Sequence, residues 1–303
     1  MSEKEISGVL VVNKRSGMTS HDVVGKVRRL YHTRRVGHTG TLDPMAEGVL
    51  VVLVGRAAKA AEYLTVKTKQ YRAVLRLGLT TDTEDVTGKT LTVSGDIPSP
   101  ERVCEVAATF VGEILQTPPM YSALKVNGQK LCDLARRGIE VEREARPITV
   151  YALSCKHLQD HDYELNVTCS AGTYIRTLCA DIGKALGCGG VMAALCRTAA
   201  GEYSLENATA LEALEAKNDS ELAAQLLPIE SLFEELPAIP LPAFFEKLAR
   251  SGCEIYQKKL GTAREIGTRV RMCKENGHFF ALGEVREFEG GSAIKSIKMF
   301  DIE

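Results

Sequence analysis

The residues with the clearest chemical potential lie in the stretch Gly37-His38-Thr39-Gly40-Thr41-Leu42-Asp43-Pro44-Met45-Ala46-Glu47-Gly48, just before a run of strand formers over residues 49–54. Pro44 biases Asp43 toward extended backbone, so no helix is expected to begin there. A carboxylate held in such a loop can attack an anomeric carbon or take a proton, as in the cleavage of glycosidic bonds. The competing reading is structural, because Asp in a Gly/Thr-rich loop is a common turn former. Two further residues could serve the same chemistry. Tyr71 can offer a stacking face and a hydroxyl, or simply fill the core. Arg176 falls in the first turn of an expected helix, where a cation is disfavoured unless an anion lies beside it. Asp43 is a candidate for that anion, since an arginine–carboxylate pair is a strong, oriented contact.

Several elements must position these groups. Residues 8–13 read as a short buried strand. Thr19 or Ser20 caps a helix running to about Tyr31, with Val23, Val24, Val27 and Leu30 on its inner face and Lys26, Arg28 and Arg29 on the other. Residues 70–77 alternate, placing Tyr71, Ala73, Leu75 and Leu77 on one side of a half-exposed strand. Further strands are expected at about 147–157 and 162–169, and helices at 173–186 and in the acidic stretch 209–227. Three prolines between Pro237 and Pro242 mark a linker or domain edge. Beyond residue 243, short strands at 268–273, 278–285 and 292–300 describe a small β-module.

The chain has 303 residues, 45% hydrophobic and 25% charged, with a formal net charge of −1. That composition fits a globular protein long enough for two domains. Its charge is unevenly spread: residues 12–40 carry seven Lys/Arg, one acid and three of the six histidines, whereas residues 202–235 carry nine acids and one lysine. A basic face within a neutral total is the footprint expected of polyanion binding, and Arg28, Arg29, Arg34 and Arg35 suit phosphate contacts. Nine cysteines, none at CxxC spacing, point to reduced, structural thiols. No run is long enough to span a bilayer, and residues 1–7 lack a leader's layout, so a cytoplasmic protein is expected. Phosphate-loop, HExxH and dinucleotide motifs are missing, so neither a metal nor a nucleotide or redox cofactor is expected.

Taken in order, these segments resemble the TruB family of tRNA pseudouridine synthases. The stretch GHTGTLDPMAEGVL is similar to the family's catalytic-aspartate motif. Gly8-Val9-Leu10-Val11-Val12-Asn13-Lys14, Lys69-Gln70-Tyr71, Pro118-Pro119-Met120-Tyr121-Ser122-Ala123-Leu124-Lys125 and Cys169-Ser170-Ala171-Gly172-Thr173-Tyr174-Ile175-Arg176 match further motifs. Where the family often has proline after the lysine, this chain has Arg15. The resemblance implies a mixed, largely antiparallel sheet with flanking helices (α/β, in the α+β sense; the pseudouridine synthase fold) over residues 1–236, and a PUA-like RNA-binding module over 237–303. It implies isomerisation of uridine to pseudouridine at position 55 in the T-arm of tRNA by a cofactor-free monomer. Asp43 would be the nucleophile, Tyr71 the aromatic that stacks on the base and helps deprotonate C5, and Arg176 the partner of the aspartate. His38 would help displace the target nucleotide, and Lys14, Tyr174 and Leu195 would line or support the pocket. Two other readings remain: a non-catalytic RNA chaperone using the basic groove, and a hydrolase that releases free uracil.

Overall fold

The computed structural model describes residues 6–64, 68–126 and 128–301; the segment 1–5, on which much of the leader expectation rests, lies outside them. The main sheet has ten strands. Its principal members are β1 (Gly8–Lys14), β2 (Val36–His38), β3 (Glu47–Val54), β4 (Thr68–Leu77), β5 (Gly112–Gln116), β6 (Arg146–Gln159), β7 (Asp162–Ser170), β8 (Gly190–Ala200) and β9 (Thr209–Ala210). They run in the order β9-β1-β3-β8-β4-β7-β6-β5, with β2 on β3 and Tyr203–Ser204 on β8. Only β1–β9 and β3–β8 pair in parallel among these strands; the expected mixed, largely antiparallel sheet is present.

Helices α1 (Ser20–Leu30), α2 (Pro100–Ala108) and α3 (Ile175–Ala185) flank the sheet. Thr19 caps α1 in a capping box with Asp22, which satisfies orphan amides at both ends of the box. Val23, Val24 and Val27 pack with Leu10, Val12, Leu50, Val52, Tyr71, Ala73 and Leu75 in one core. Alternate residues of the same strands (Val9, Val11, Val49, Val51, Leu53) enter a second core with Phe233, Phe279, Leu282 and Phe300. Burial on both faces explains why residues 49–54 carry no polar alternation.

A second sheet of five strands forms the C-terminal β-module: β10 (Ala238–Leu241), β11 (Ile255–Tyr256), β12 (Arg269–Lys274), β13 (Phe279–Phe288) and β14 (Gly291–Met299), ordered β10-β12-β13-β14-β11. The proline-rich segment, expected to be a linker or domain edge, is in part β10, an edge strand paired in parallel with β12. Prolines are tolerated there because an edge strand leaves amide positions outside the ladder. The acidic stretch is likewise broken up, into β9 and two short helices at Leu211–Glu215 and Asp219–Ala224. Carboxylates of the first of these meet the basic N-terminal segment: Glu212 pairs with Arg15, before α1, at 2.9 Å and Glu215 with Lys26 of α1 at 2.6 Å. Part of the basic face is therefore neutralised within the chain. No helix among the described residues is long and apolar enough to cross a membrane.

Candidate active site

The Asp43 loop joins the antiparallel neighbours β2 and β3, and polar contacts from four groups fix it. Ser20, at the start of α1, accepts the Leu42 amide at 2.9 Å and donates to the Leu42 carbonyl at 3.2 Å. The Gly17 amide donates to the Pro44 carbonyl at 2.9 Å, and the Ala46 amide closes a turn onto the Asp43 carbonyl at 3.0 Å. From the end of β1, the fully buried Lys14 ammonium donates to the carbonyls of Met18 (2.7 Å), Arg15 (3.0 Å) and Pro44 (3.2 Å). Burial pulls this ammonium down to about 8, against the opposing pull of the Asp43 charge. Lys14 thus ties the loop before α1 to the Asp43 loop between β2 and β3, and Arg15, in place of proline, turns outward to Glu212.

The fourth contact is Arg197 of β8, only 1% exposed. Its Nε donates to the Val49 carbonyl at 2.7 Å, Nη2 to the Gly40 carbonyl at 3.0 Å and Nη1 to the Thr41 carbonyl at 3.4 Å. The sequence reading did not single out Arg197. It lies in the alanine-rich segment Gly190–Ala200, which showed no strand pattern and yet forms β8, between β3 and β4. The available signal was an arginine two residues after Leu195, in a segment with no other charge.

Arg176, in the first turn of α3, meets Asp43 in a two-pronged contact: Nε to Oδ2 at 2.9 Å and Nη2 to Oδ1 at 3.1 Å. The guanidinium also donates to the carbonyls of Thr83 (3.1 Å) and Tyr121 (2.8 Å), and the Asp85 carboxylate stands 4.0 Å away. Planar double hydrogen bonding fixes the orientation of the carboxylate as well as its position. The arginine is almost wholly buried, while the Asp43 side chain keeps 32% of its surface open. The anion therefore rests on a buried, charged support and stays partly open to solvent.

Tyr71 and Arg197 are register partners on β4 and β8, as are Ala73 and Leu195. Side chains of these pairs lie on one face, so Tyr71, Leu195 and Arg197 form a continuous wall. Burial pushes the Tyr71 phenol up, and the Arg197 charge beside it works in the opposite direction. The Asp43 charge is also felt at Tyr71, which places both groups in one site. Leu195 is buried and apolar. Tyr174, the residue before α3, is held through its backbone: its amide donates to Gln116 Oε1 at 2.8 Å and its carbonyl accepts from Gln116 Nε2 at 3.0 Å. That clamp sets the start of the helix that delivers Arg176. His38 is half-buried on β2, its Nδ1 accepting the Gly40 amide at 3.3 Å. Burial first, then the Arg197 charge, lowers its pKa.

The site thus joins one outward-facing carboxylate, a buried arginine clamped to it, an aromatic wall and a neutral imidazole. Such a set can stabilise positive charge on a sugar carbon while an aromatic base lies against an apolar surface. Among the described residues, no group of three or more His, Cys, Asp or Glu side chains is placed to hold a metal ion.

The chain and its fold match a class of RNA-modifying isomerases. The model of the TruB family pseudouridylate synthase N-terminal domain matches residues 28–175, and that of the tRNA pseudouridylate synthase B C-terminal domain matches residues 176–234. Among relatives, tRNA pseudouridine synthase B of Clostridium kluyveri is 40% identical over 97% of this chain and 100% of its own length. The protein of the same name from Escherichia coli O139:H28 is 40% identical over 93% of this chain and 92% of its own. Among solved structures, a chain of a Cbf5-Nop10-Gar1 complex superposes with a TM-score of 0.71 at 25% identity, covering 98% of this chain and 85% of that one. The chain belongs to the TruB family and is a pseudouridine synthase, an intramolecular transferase of the isomerase class.

Proposed function

We propose that the chain isomerises uridine to pseudouridine at position 55 in the T-arm of tRNA, acting as a cytoplasmic monomer without a cofactor, with Asp43 as the nucleophile. The observation that carries this reading is the Asp43 carboxylate, held at two points by Arg176, partly open to solvent and near enough to Tyr71 for its charge to be felt there. Family membership and the names of the relatives support tRNA as the substrate. The target uridine must leave its stack to reach a loop-borne carboxylate, at a cost of a few kcal/mol. His38, whose Nδ1 accepts the Gly40 amide, would occupy the space the uridine vacates. Lys14 and Tyr174 hold the loops around the pocket, and Leu195 supplies an apolar floor beside Tyr71.

Within the pocket the C1′–N1 bond breaks, the uracil turns, a C1′–C5 bond forms, C5 loses its proton and N1 gains one. The nucleoside therefore keeps its composition and its oxidation state. Asp43 serves by attack on C1′ or by removal of a proton from C2′; either route needs a carboxylate against the ribose. The Tyr71 phenol, pushed up by burial, stacks on the base in its neutral form. To take the C5 proton it must first release its own to solvent, and the Arg197 charge beside it favours that phenolate, which the C5 proton then neutralises. Exclusion of water by the apolar wall keeps the detached uracil from being lost. Residues 237–303 serve as a PUA-like RNA-binding module beside the catalytic residues 1–236.

Unmodified tRNA incubated with the protein, then treated with carbodiimide and mapped by primer extension, should give one stop, in the T-loop, with the RNA mass unchanged. Loss of a uracil mass would establish the hydrolase instead. Absence of any new stop, with tRNA bound and remodelled, would establish the chaperone.

A further inference from the structure

We infer that Lys69, backed by Arg197 and seated against Gly40, binds a phosphodiester of the RNA that flanks the extruded nucleotide. This rests on the reading that an RNA uridine is the substrate. Lys69 lies two residues before Tyr71 on β4, hence on the same face as the aromatic wall. The point a Cβ on Gly40 would occupy is 3.1 Å from Lys69 Nζ and 3.6 Å from Arg197 Nη1. Two cations therefore share one small space beneath the loop that carries Asp43. A side chain at residue 40 would crowd the ammonium, so glycine here lets it approach the loop backbone.

What the pair lacks is an anion. The guanidinium of Arg197 spends its donors on three neutral carbonyls. Among the described residues the Lys69 ammonium makes no hydrogen bond or ion pair. The titratable or charged groups that reach it are Arg197 from β8 and the Cys169 thiol from β7, and burial keeps that thiol protonated. Burial first, then Arg197, pulls the Lys69 ammonium down to about 8. Like charges in a half-buried site are costly unless a counter-charge arrives. Lys69 keeps some exposed surface beside the His38–Gly40 rim, and an RNA backbone passing that rim supplies the missing charge once per nucleotide. A cation waiting there contributes only when the nucleotide is drawn into the site.

Affinity is measured for T-arm stem-loop RNA in an Asp43→Asn background, which separates binding from turnover. The RNA carries either its natural backbone or one neutral methylphosphonate, placed 5′ or 3′ of the target uridine. One methylphosphonate should weaken binding about tenfold or more in the Lys69-containing protein. It should do little in Lys69→Met, because the two changes remove the same contact. Lys69→Met should also flatten the dependence of log K on log salt by about 0.7 to 0.9, the release from one phosphate, whereas Lys69→Arg should retain the slope. Removing an unpaired cation should leave the thermal midpoint equal or higher, which a structural lysine would not do. A test without any Lys69 variant uses pH. Natural RNA should lose affinity above pH 8 more steeply than the methylphosphonate RNA, and the comparison cancels Lys14, which titrates in the same range. Additive effects of methylphosphonate and Lys69→Met, or parallel pH profiles for the two RNAs, would overturn the inference. Wild-type protein that binds this RNA but forms no pseudouridine would overturn the functional reading separately.

Discussion

Tyr71 and Arg197 sit directly opposite each other on neighbouring strands, and the guanidinium that flanks the phenol also holds the carbonyls of Gly40, Thr41 and Val49. The aromatic wall and the aspartate loop are therefore positioned by one buried side chain. A shift of that side chain would move both the stacking surface and the carboxylate.

Arg197→Met removes three donors and leaves three carbonyls short of partners, so it should cost about 3 kcal/mol or more of stability. Arg197→Lys keeps the charge but not the fork, and should recover part of that loss. Thermal unfolding together with kcat checks this. A Met variant as stable as wild type would show that the guanidinium does not hold the loop.

Gly48 adopts φ +99°, and a Cβ there would stand 2.2 Å from the Arg197 carbonyl oxygen. Backbone on both sides leaves nothing flexible to yield. Gly48→Ala should therefore destabilise by about 1–3 kcal/mol from backbone strain alone, with turnover falling as the loop shifts. Urea unfolding with unchanged stability would contradict the close approach of β3 and β8.

Tyr71→Phe keeps the stacking face and loses the hydroxyl. If that oxygen takes part in proton removal from C5, kcat should fall by at least about a hundredfold, with RNA affinity little changed. Single-turnover kinetics measure it, and wild-type turnover in the Phe variant would confine Tyr71 to packing.

His38 has a folded-state pKa below its ordinary 6.5, with burial as the main cause. The folded protein thus resists protonation there more than the unfolded chain does. Its contribution to stability is full above pH 6.5 and is lost as pH falls through the folded value. Protonation at Nδ1 would also remove the acceptor of the Gly40 amide. Denaturant unfolding should show wild type losing stability relative to His38→Asn between pH 7 and 5, and parallel curves would remove His38 from this role.

Much of this site was legible because short-range rules apply to it. The Thr19–Asp22 capping box fixes α1, alternation puts Tyr71 inward on β4, and a cation at the start of α3 called for an anion. The groups that depend on long-range pairing were not legible. β8 is rich in alanine and lacks the β-branched pattern of a strand, because β3 and β4 on either side define it. Arg197 was hidden with it, and so was the meeting of Lys69 with Gly40. The prolines at 237–242 read as a break, since nothing local says that an edge strand will take them. The acidic stretch read as a separate feature, although Glu212 and Glu215 turn out to face Arg15 and Lys26.

The most direct measurement is pseudouridine formation by Asp43→Asn under single-turnover conditions, beside its affinity for the same T-arm RNA. The account predicts no detectable product and an affinity within about tenfold of wild type, because phosphate contacts supply much of the binding. Product formed at the wild-type rate would contradict it.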